Sequence, residues 1–232
     1  MSSFSERLAE TEERVANACS KAGRAREEVK VLAVAKKFGP DKVREAYDAG
    51  LRVIGENRVQ EARQKIPLCP GELSWHMVGH LQANKVKPAV KLFDMIHSVD
   101  SIRLLETVNR ACEQEGRNLP VCLQVNVSGE SSKYGMKPEE AADALKADAN
   151  LPYVEITGLM TMPPFTPDPE DAAGYFARLR DLRDETEKET GAVLPELSMG
   201  MSHDFEVAVR EGATWIRLGT SLFGERNGDG NG

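Results

Sequence analysis

No apolar run in this 232-residue chain approaches the ~20 residues that a helix needs to cross a bilayer, so a membrane-spanning helix is excluded. The N-terminus is charged from Glu6 onward and lacks the apolar core of a secretory signal. Cysteine is scarce. Cys19, Cys69, Cys112 and Cys122 show no CxxC spacing, which excludes a zinc ribbon or a thioredoxin-like motif. Reduced thiols in a cytoplasm are expected. Positive charge is also short: 30 Lys and Arg against 37 Asp and Glu leave a net charge of −7. That argues against nucleic acid as a partner, because a basic face supplies most of such affinity. Lys85, Lys87 and Lys91 cluster locally and read as a solvated helix face. There is no GxSxG, no Walker loop, no HExxH and no evident carboxylate pair for acid–base work. His76 and His80 are four residues apart but straddle a strand end, so they do not share a face and no metal site is expected. His97 and His203 read as core or loop histidines. No Pro/Gly/Ser-rich linker divides the chain, and low complexity is confined to Gly224–Gly232. One domain over 1–225 and a flexible tail over 226–232 are expected.

What is present is a repeated alternation. An amphipathic helix with Phe4, Leu8, Val15 and Ala18 on one face comes first and stops at Gly23. Short apolar runs then alternate with helical patterns. Strands are expected at Val31–Ala35, Leu51–Ile54, Trp75–Val78, Asp94–Val99, Val121–Val127, Val154–Met160, Glu196–Met199 and Thr214–Leu218. Asp41 and Asp100 are expected to cap the helices that follow the first and fourth strands. Strict β/α alternation means a parallel sheet, and eight units without an edge-like polar strand mean a closed single-domain (β/α)8 TIM barrel. The leading helix is extra, and would cover the barrel where the eighth helix is short.

The polar residues support that topology. Lys36, Asn57, His80, Ser98, Asn126, Thr161, Ser198, Ser202, Arg217 and Thr220 fall at or just after the C-terminal ends of strands, the rim on which barrels build their sites. Lys36 follows Val31-Leu32-Ala33-Val34-Ala35 directly. A lysine desolvated there loses pKa and becomes a nucleophile suited to a Schiff base with a carbonyl compound. Met199-Gly200-Met201-Ser202 and Gly219-Thr220-Ser221 follow strands seven and eight, where barrels often hold phosphate through backbone N–H groups and hydroxyls. A strand-end lysine, a two-loop cradle and Arg217 together suit a phosphorylated aldehyde. Pyridoxal 5′-phosphate (PLP) is the first candidate; spacing leaves a Schiff-base aldolase acting on a sugar phosphate open.

At these positions the sequence resembles the pyridoxal phosphate homeostasis protein family. The motifs are Leu32-Ala33-Val34-Ala35-Lys36, Gly55-Glu56-Asn57-Arg58-Val59-Gln60-Glu61 and Gly79-His80-Leu81-Gln82-Ala83-Asn84-Lys85. They continue with His97-Ser98-Val99-Asp100, Gln124-Val125-Asn126-Val127-Ser128, Gly158-Leu159-Met160-Thr161-Met162, Leu197-Ser198-Met199-Gly200-Met201-Ser202 and Arg217-Leu218-Gly219-Thr220. The resemblance implies a barrel like the N-terminal domain of alanine racemase. It implies that Lys36, rather than Lys37, carries PLP as an internal aldimine, and that Arg217 faces the pyridine nitrogen. Ser202, Gly219 and Thr220 would hold the phosphate, and Asn57, His80 and Ser198 would line the pocket. Two departures stand out. Ala35 replaces a frequent serine, and Lys37 adds a second cation that would depress the pKa of Lys36. The second domain that completes alanine racemase has no counterpart here, so an open pocket and negligible racemase turnover are expected. The implied function is intracellular PLP homeostasis by a monomeric carrier that passes PLP transiently to apo-enzymes. The alternative is a PLP-dependent racemase or lyase acting on a small amino acid.

Overall fold

The computed structural model describes residues 2–148 and 150–225. The expected tail over 226–232 lies outside the described residues. The chain opens with α1 (Phe4–Lys21), then β1 (Lys30–Val34), α2 (Pro40–Asp48), β2 (Val53–Glu56), α3 (Val59–Lys65), β3 (Ser74–Met77) and α4 (Val86–Leu92). It continues through β4 (Met95–Val99), α5 (Ile102–Glu115), β5 (Leu119–Gln124), α6 (Glu140–Asp148), β6 (Val154–Met160) and α7 (Ala173–Thr190). Last come β7 (Glu196–Met201), α8 (Phe205–Arg210), β8 (Trp215–Leu218) and a single turn, α9 (Thr220–Phe223). The strands pair in chain order, all parallel, and β8 closes on β1. This is the (β/α)8 barrel that the alternation predicts.

Two layers of apolar residues follow from the period of two along each strand. One face of each strand meets the helices and forms the main core, with Ala33, Ile54, Trp75, Ile96, Leu123, Leu159, Leu197 and Ile216 all buried. The other face fills the barrel interior. Leu32, Val34, Val78 and Trp215 form one small cluster there, and Met95, Cys122 and Met160 another. His76, His97, Ser198 and Arg217 are buried as well, at 5%, 0%, 0% and 4% exposure. Such groups are tolerated in a core only if they are hydrogen-bonded.

Two helix starts differ from expectation. Gly39 is the N-cap of α2, with Pro40 in the first turn, where its fixed φ and missing N–H cost nothing. Asp41 therefore lies inside that turn instead of capping it. Ser101, not Asp100, caps α5, its Oγ accepting from Leu104 N at 3.3 Å. Asp100 turns instead toward His80 Nδ1, 3.1 Å away.

α1 covers the barrel beside the short α9, as its position in the sequence suggests. The Phe4 and Phe223 rings lie 5.3 Å apart, and Arg7 Nε donates to the Leu222 carbonyl at 2.7 Å. A capping box starts this helix: Ser3 Oγ accepts from Glu6 N at 3.2 Å, and Glu6 Oε2 accepts from Ser3 N at 2.7 Å. Ser3→Ala is expected to lower stability by about 1 kcal/mol, read from the urea midpoint at constant m.

Candidate functional site

A cavity of about 260 Å³ opens at the C-terminal ends of the strands. Six of the eight expected site residues line it: Lys36, Asn57, Ser202, Arg217, Gly219 and Thr220. Val34, Val78, Met162, Met201 and His203 complete the wall. The assembly follows from topology. β1 delivers Lys36 one residue past Ala35, and β8, hydrogen-bonded to β1 with Leu32 opposite Arg217, delivers the guanidinium to the same cavity. Lys36 is half-buried, and Lys37 is exposed, with φ of 64°. The amide of Lys37 donates to Glu61 Oε2 at 3.0 Å, which helps hold that turn.

The loops after β7 and β8 are tied together through one atom. Ser202 Oγ accepts from Gly219 N at 3.1 Å and from Ser221 N at 3.2 Å, and lies 3.1 Å from Ser221 Oγ. A hydroxyl that accepts two amides keeps its own proton to donate. Ser202 thus gives its proton to Ser221 Oγ, and its hydroxyl knots the two loops at the cavity wall, next to Gly219 and Thr220. Asn57 also lines the cavity, and its Oδ1 is buried without a partner among the described residues. A buried acceptor left unmade costs about 1–3 kcal/mol.

Ser198 and His80 are expected site residues that do not line the cavity. Ser198 lies beneath it, fully buried. Arg217 Nη1 donates to Ser198 Oγ at 2.9 Å, and Nη2 donates to the Thr161 carbonyl at 2.8 Å. His97 Nδ1 lies 2.7 Å from the same Ser198 Oγ, and its Nε2 lies 3.0 Å from His76 Nδ1. Burial pushes His76 down to about 3, with the charge of Lys30 adding to it. Burial likewise pushes His97 well below the usual imidazole range, helped by His76, Arg217 and Lys30. Both rings are therefore neutral at pH 7. Burial lowers Arg217 to about 10 against the pull of Asp204, which still leaves it a cation at pH 7. His80 is drawn outward. It pairs with Asp100 and stacks under Tyr134, ring centroids 3.8 Å apart and planes 15° from parallel.

The family model for the alanine racemase N-terminal domain matches residues 8–227. A pyridoxal phosphate homeostasis protein of Aquifex aeolicus is 45% identical over 222 residues, 95% of this chain and 97% of that protein. The chain belongs to the pyridoxal phosphate homeostasis protein family. The human pyridoxal phosphate homeostasis protein is 40% identical over 213 residues, 85% of this chain and 77% of its own length. PipY of Synechococcus elongatus PCC7942, in a structure with PLP bound, is 40% identical with a TM-score of 0.83, over 95% of this chain and all (100%) of that one. An alanine racemase of Clostridium difficile 630 is similar in fold alone, with a TM-score of 0.73 at 16% identity, over 97% of this chain and 58% of that one.

Three residues act at the site in ways that the sequence alone does not reveal. Ser221, a member of the expected Gly219-Thr220-Ser221 cradle, ties the loops after β7 and β8 through its amide. His97 reads as a core histidine, yet it contacts the residue that holds Arg217. Tyr134 covers His80 from a loop between β5 and α6, and no periodic signal marks such a residue. Among the described residues, no three His, Cys, Asp or Glu side chains gather as a metal site would need, and no helix is long and apolar enough to cross a membrane.

Proposed function

We propose that this chain binds PLP and holds it in reserve for apo-enzymes rather than turning over a substrate. The observation that carries the reading is the convergence of Lys36, Arg217 and the Ser202–Gly219–Thr220 loops on one 260 Å³ cavity at the barrel rim. The donor set suits the cofactor, and a relative of 40% identity, PipY, has a structure with PLP bound. When bound, PLP supplies an aldehyde that condenses with an amine and a pyridine ring that accepts electrons. Lys36 would hold it by its amine. Ser202, Gly219 and Thr220 would hold the phosphate, and Arg217 would face the ring nitrogen. A guanidinium protonated at pH 7 only donates hydrogen bonds, so Arg217 leaves no proton on that nitrogen. The ring is then a weak electron sink, which favours holding over catalysis. Asn57 Oδ1, an acceptor in want of a donor, adds a polar contact at the wall.

The test is the visible spectrum of the protein with PLP, then borohydride reduction and peptide mapping by mass spectrometry. A coloured protein carrying pyridoxyl on Lys36, and no label in Lys36→Ala, is the expected result. A protein that PLP cannot colour would sink the reading. Transfer of PLP to an apo-enzyme without amino-acid turnover would establish the carrier. Steady turnover lost in Lys36→Ala would establish the racemase or lyase instead. Ser202→Ala removes the O–H and unties the two loops, and is expected to weaken PLP binding about 10–100-fold, read by absorbance titration, with the label still on Lys36.

A further inference from the structure

The hydrogen bonds beneath the cavity form one continuous line through the barrel interior. It runs from Arg217 Nη1 to Ser198 Oγ (2.9 Å), to His97 Nδ1 (2.7 Å), from His97 Nε2 to His76 Nδ1 (3.0 Å), and from His76 Nε2 to Ser74 Oγ (3.2 Å). Ser74 is half-buried at the start of β3, so the line crosses from the floor of the barrel to the site. Its direction follows from chemistry. A guanidinium has no acceptor, so Arg217 donates to Ser198. Suppose His97 Nδ1 also donated to Ser198. The serine proton would then be left without an acceptor inside a fully buried site, where an unmade donor is costly. If Ser198 donates to His97 Nδ1 instead, every member is satisfied. His97 then carries its proton on Nε2 and gives it to His76 Nδ1, and His76 carries its proton on Nε2 and gives it to Ser74.

We propose that His97 and His76, each neutral and protonated on Nε2, are positioning residues that lock Ser198 as the acceptor for Arg217 and so fix the guanidinium at the floor of the cofactor cavity. Trp215 braces the pair from the side, its ring 5.1 Å from His76 and 5.8 Å from His97, both edge-on. Lys30 Nζ sits 4.9 Å over the Trp215 ring, and Asp204 and Cys122 are the ionisable groups that act on Arg217. None of the three makes a hydrogen bond to either histidine. A second bond, from Nη2 to the Thr161 carbonyl, anchors the other arm of the guanidinium. The inference rests on the reading of Arg217 as the residue facing the PLP ring.

Two measurements test it. In cofactor-free protein, ¹⁵N NMR of labelled histidine at pH 7 should show His97 and His76 as neutral Nε2–H tautomers. In Arg217→Met, where Ser198 is released, His97 should become a mixture of both tautomers. An imidazolium, or an Nδ1–H tautomer at His97 in the wild-type protein, would overturn the proposal. In the PLP-loaded protein, His97→Phe should shift the visible band and weaken PLP binding about tenfold. His97→Asn, whose Oδ1 sits near the lost Nδ1, should restore both. Wild-type band and affinity in His97→Phe would also overturn it, and if that variant does not fold the NMR result alone decides. The NMR arm needs no cofactor, so a protein that failed to take PLP would end the reading under Proposed function while the tautomers were still read.

Discussion

Lys65→Ala is expected to cost about 3–5 kcal/mol of folding stability, although the residue does not line the cavity at the barrel rim. Lys65 closes α3 at 6% exposure, and its Nζ bonds Glu56 Oε1 at the end of β2, where Glu56 is wholly buried. The same ammonium donates to the Ala35 carbonyl at 2.7 Å, the last peptide before Lys36. Removing it strands a carboxylate in the core and frees the end of β1. Burial already pushes the Glu56 carboxyl above its usual range, and Lys65 pulls it back. Without Lys65 the carboxyl rises further. A carboxyl whose pKa is raised by folding binds more protons in the native than in the unfolded state. Its stabilising contribution is complete below the unfolded value and is lost as pH rises through the folded one. The deficit of Lys65→Ala should therefore be larger at pH 8 than at pH 5, measured by urea unfolding at both. The double variant Glu56→Gln/Lys65→Met should recover most of it, because no uncompensated charge remains. An equal deficit at the two pH values would locate the loss in packing and not in the stranded charge.

The barrel was legible in the sequence because each strand is a short apolar run and each helix shows a stripe, two periods that are hard to confuse. Strand ends were less so. β2 was expected to end at Ile54, but it runs through Gly55 and Glu56, which is what carries Glu56 into the core. β5 was expected to reach Val127. It stops at Gln124, and Val125 makes an isolated bridge to Met136 instead. Gly200 and Met201 extend β7, where the expected strand ends at Met199 and the cradle loop begins. The cavity was legible at Lys36, Arg217 and the two glycine-bearing loops because strand ends in a barrel converge whatever their separation in sequence. The supports below it were not. Ser198 and His97 are 101 residues apart, and alternation says only that each side chain points inward, never which neighbours it meets. Lys65 carries no signal in the sequence, because its partner Glu56 stands nine residues earlier on β2 and not at i−4.

Gly79→Ala is expected to damage fold and site together, by about 3 kcal/mol in stability and at least about tenfold in PLP affinity. A Cβ at Gly79 would lie 2.3 Å from the Asn57 carbonyl oxygen and 2.7 Å from Asn57 Cα. Both are backbone atoms, so no side-chain rotation relieves the clash. Gly79 has little room to retreat, since its own carbonyl accepts from the buried Ser98 Oγ at 2.6 Å. The neighbouring Val78 amide donates to the Glu56 carbonyl at 3.0 Å and clamps the two strand ends together. The segment that yields is then Asn57, which with Val78 forms one wall of the cavity. One methyl group placed outside the cavity thus moves the wall. Gly174→Ala, near the start of α7 with nothing within 4 Å of the added Cβ, is the control and should be neutral or stabilising by up to about 1 kcal/mol. Urea unfolding of both variants and a PLP titration of each would separate the close backbone approach at Gly79 from the general effect of exchanging glycine for alanine. Normal PLP affinity in Gly79→Ala would mean that Asn57 and its wall do not contribute to binding.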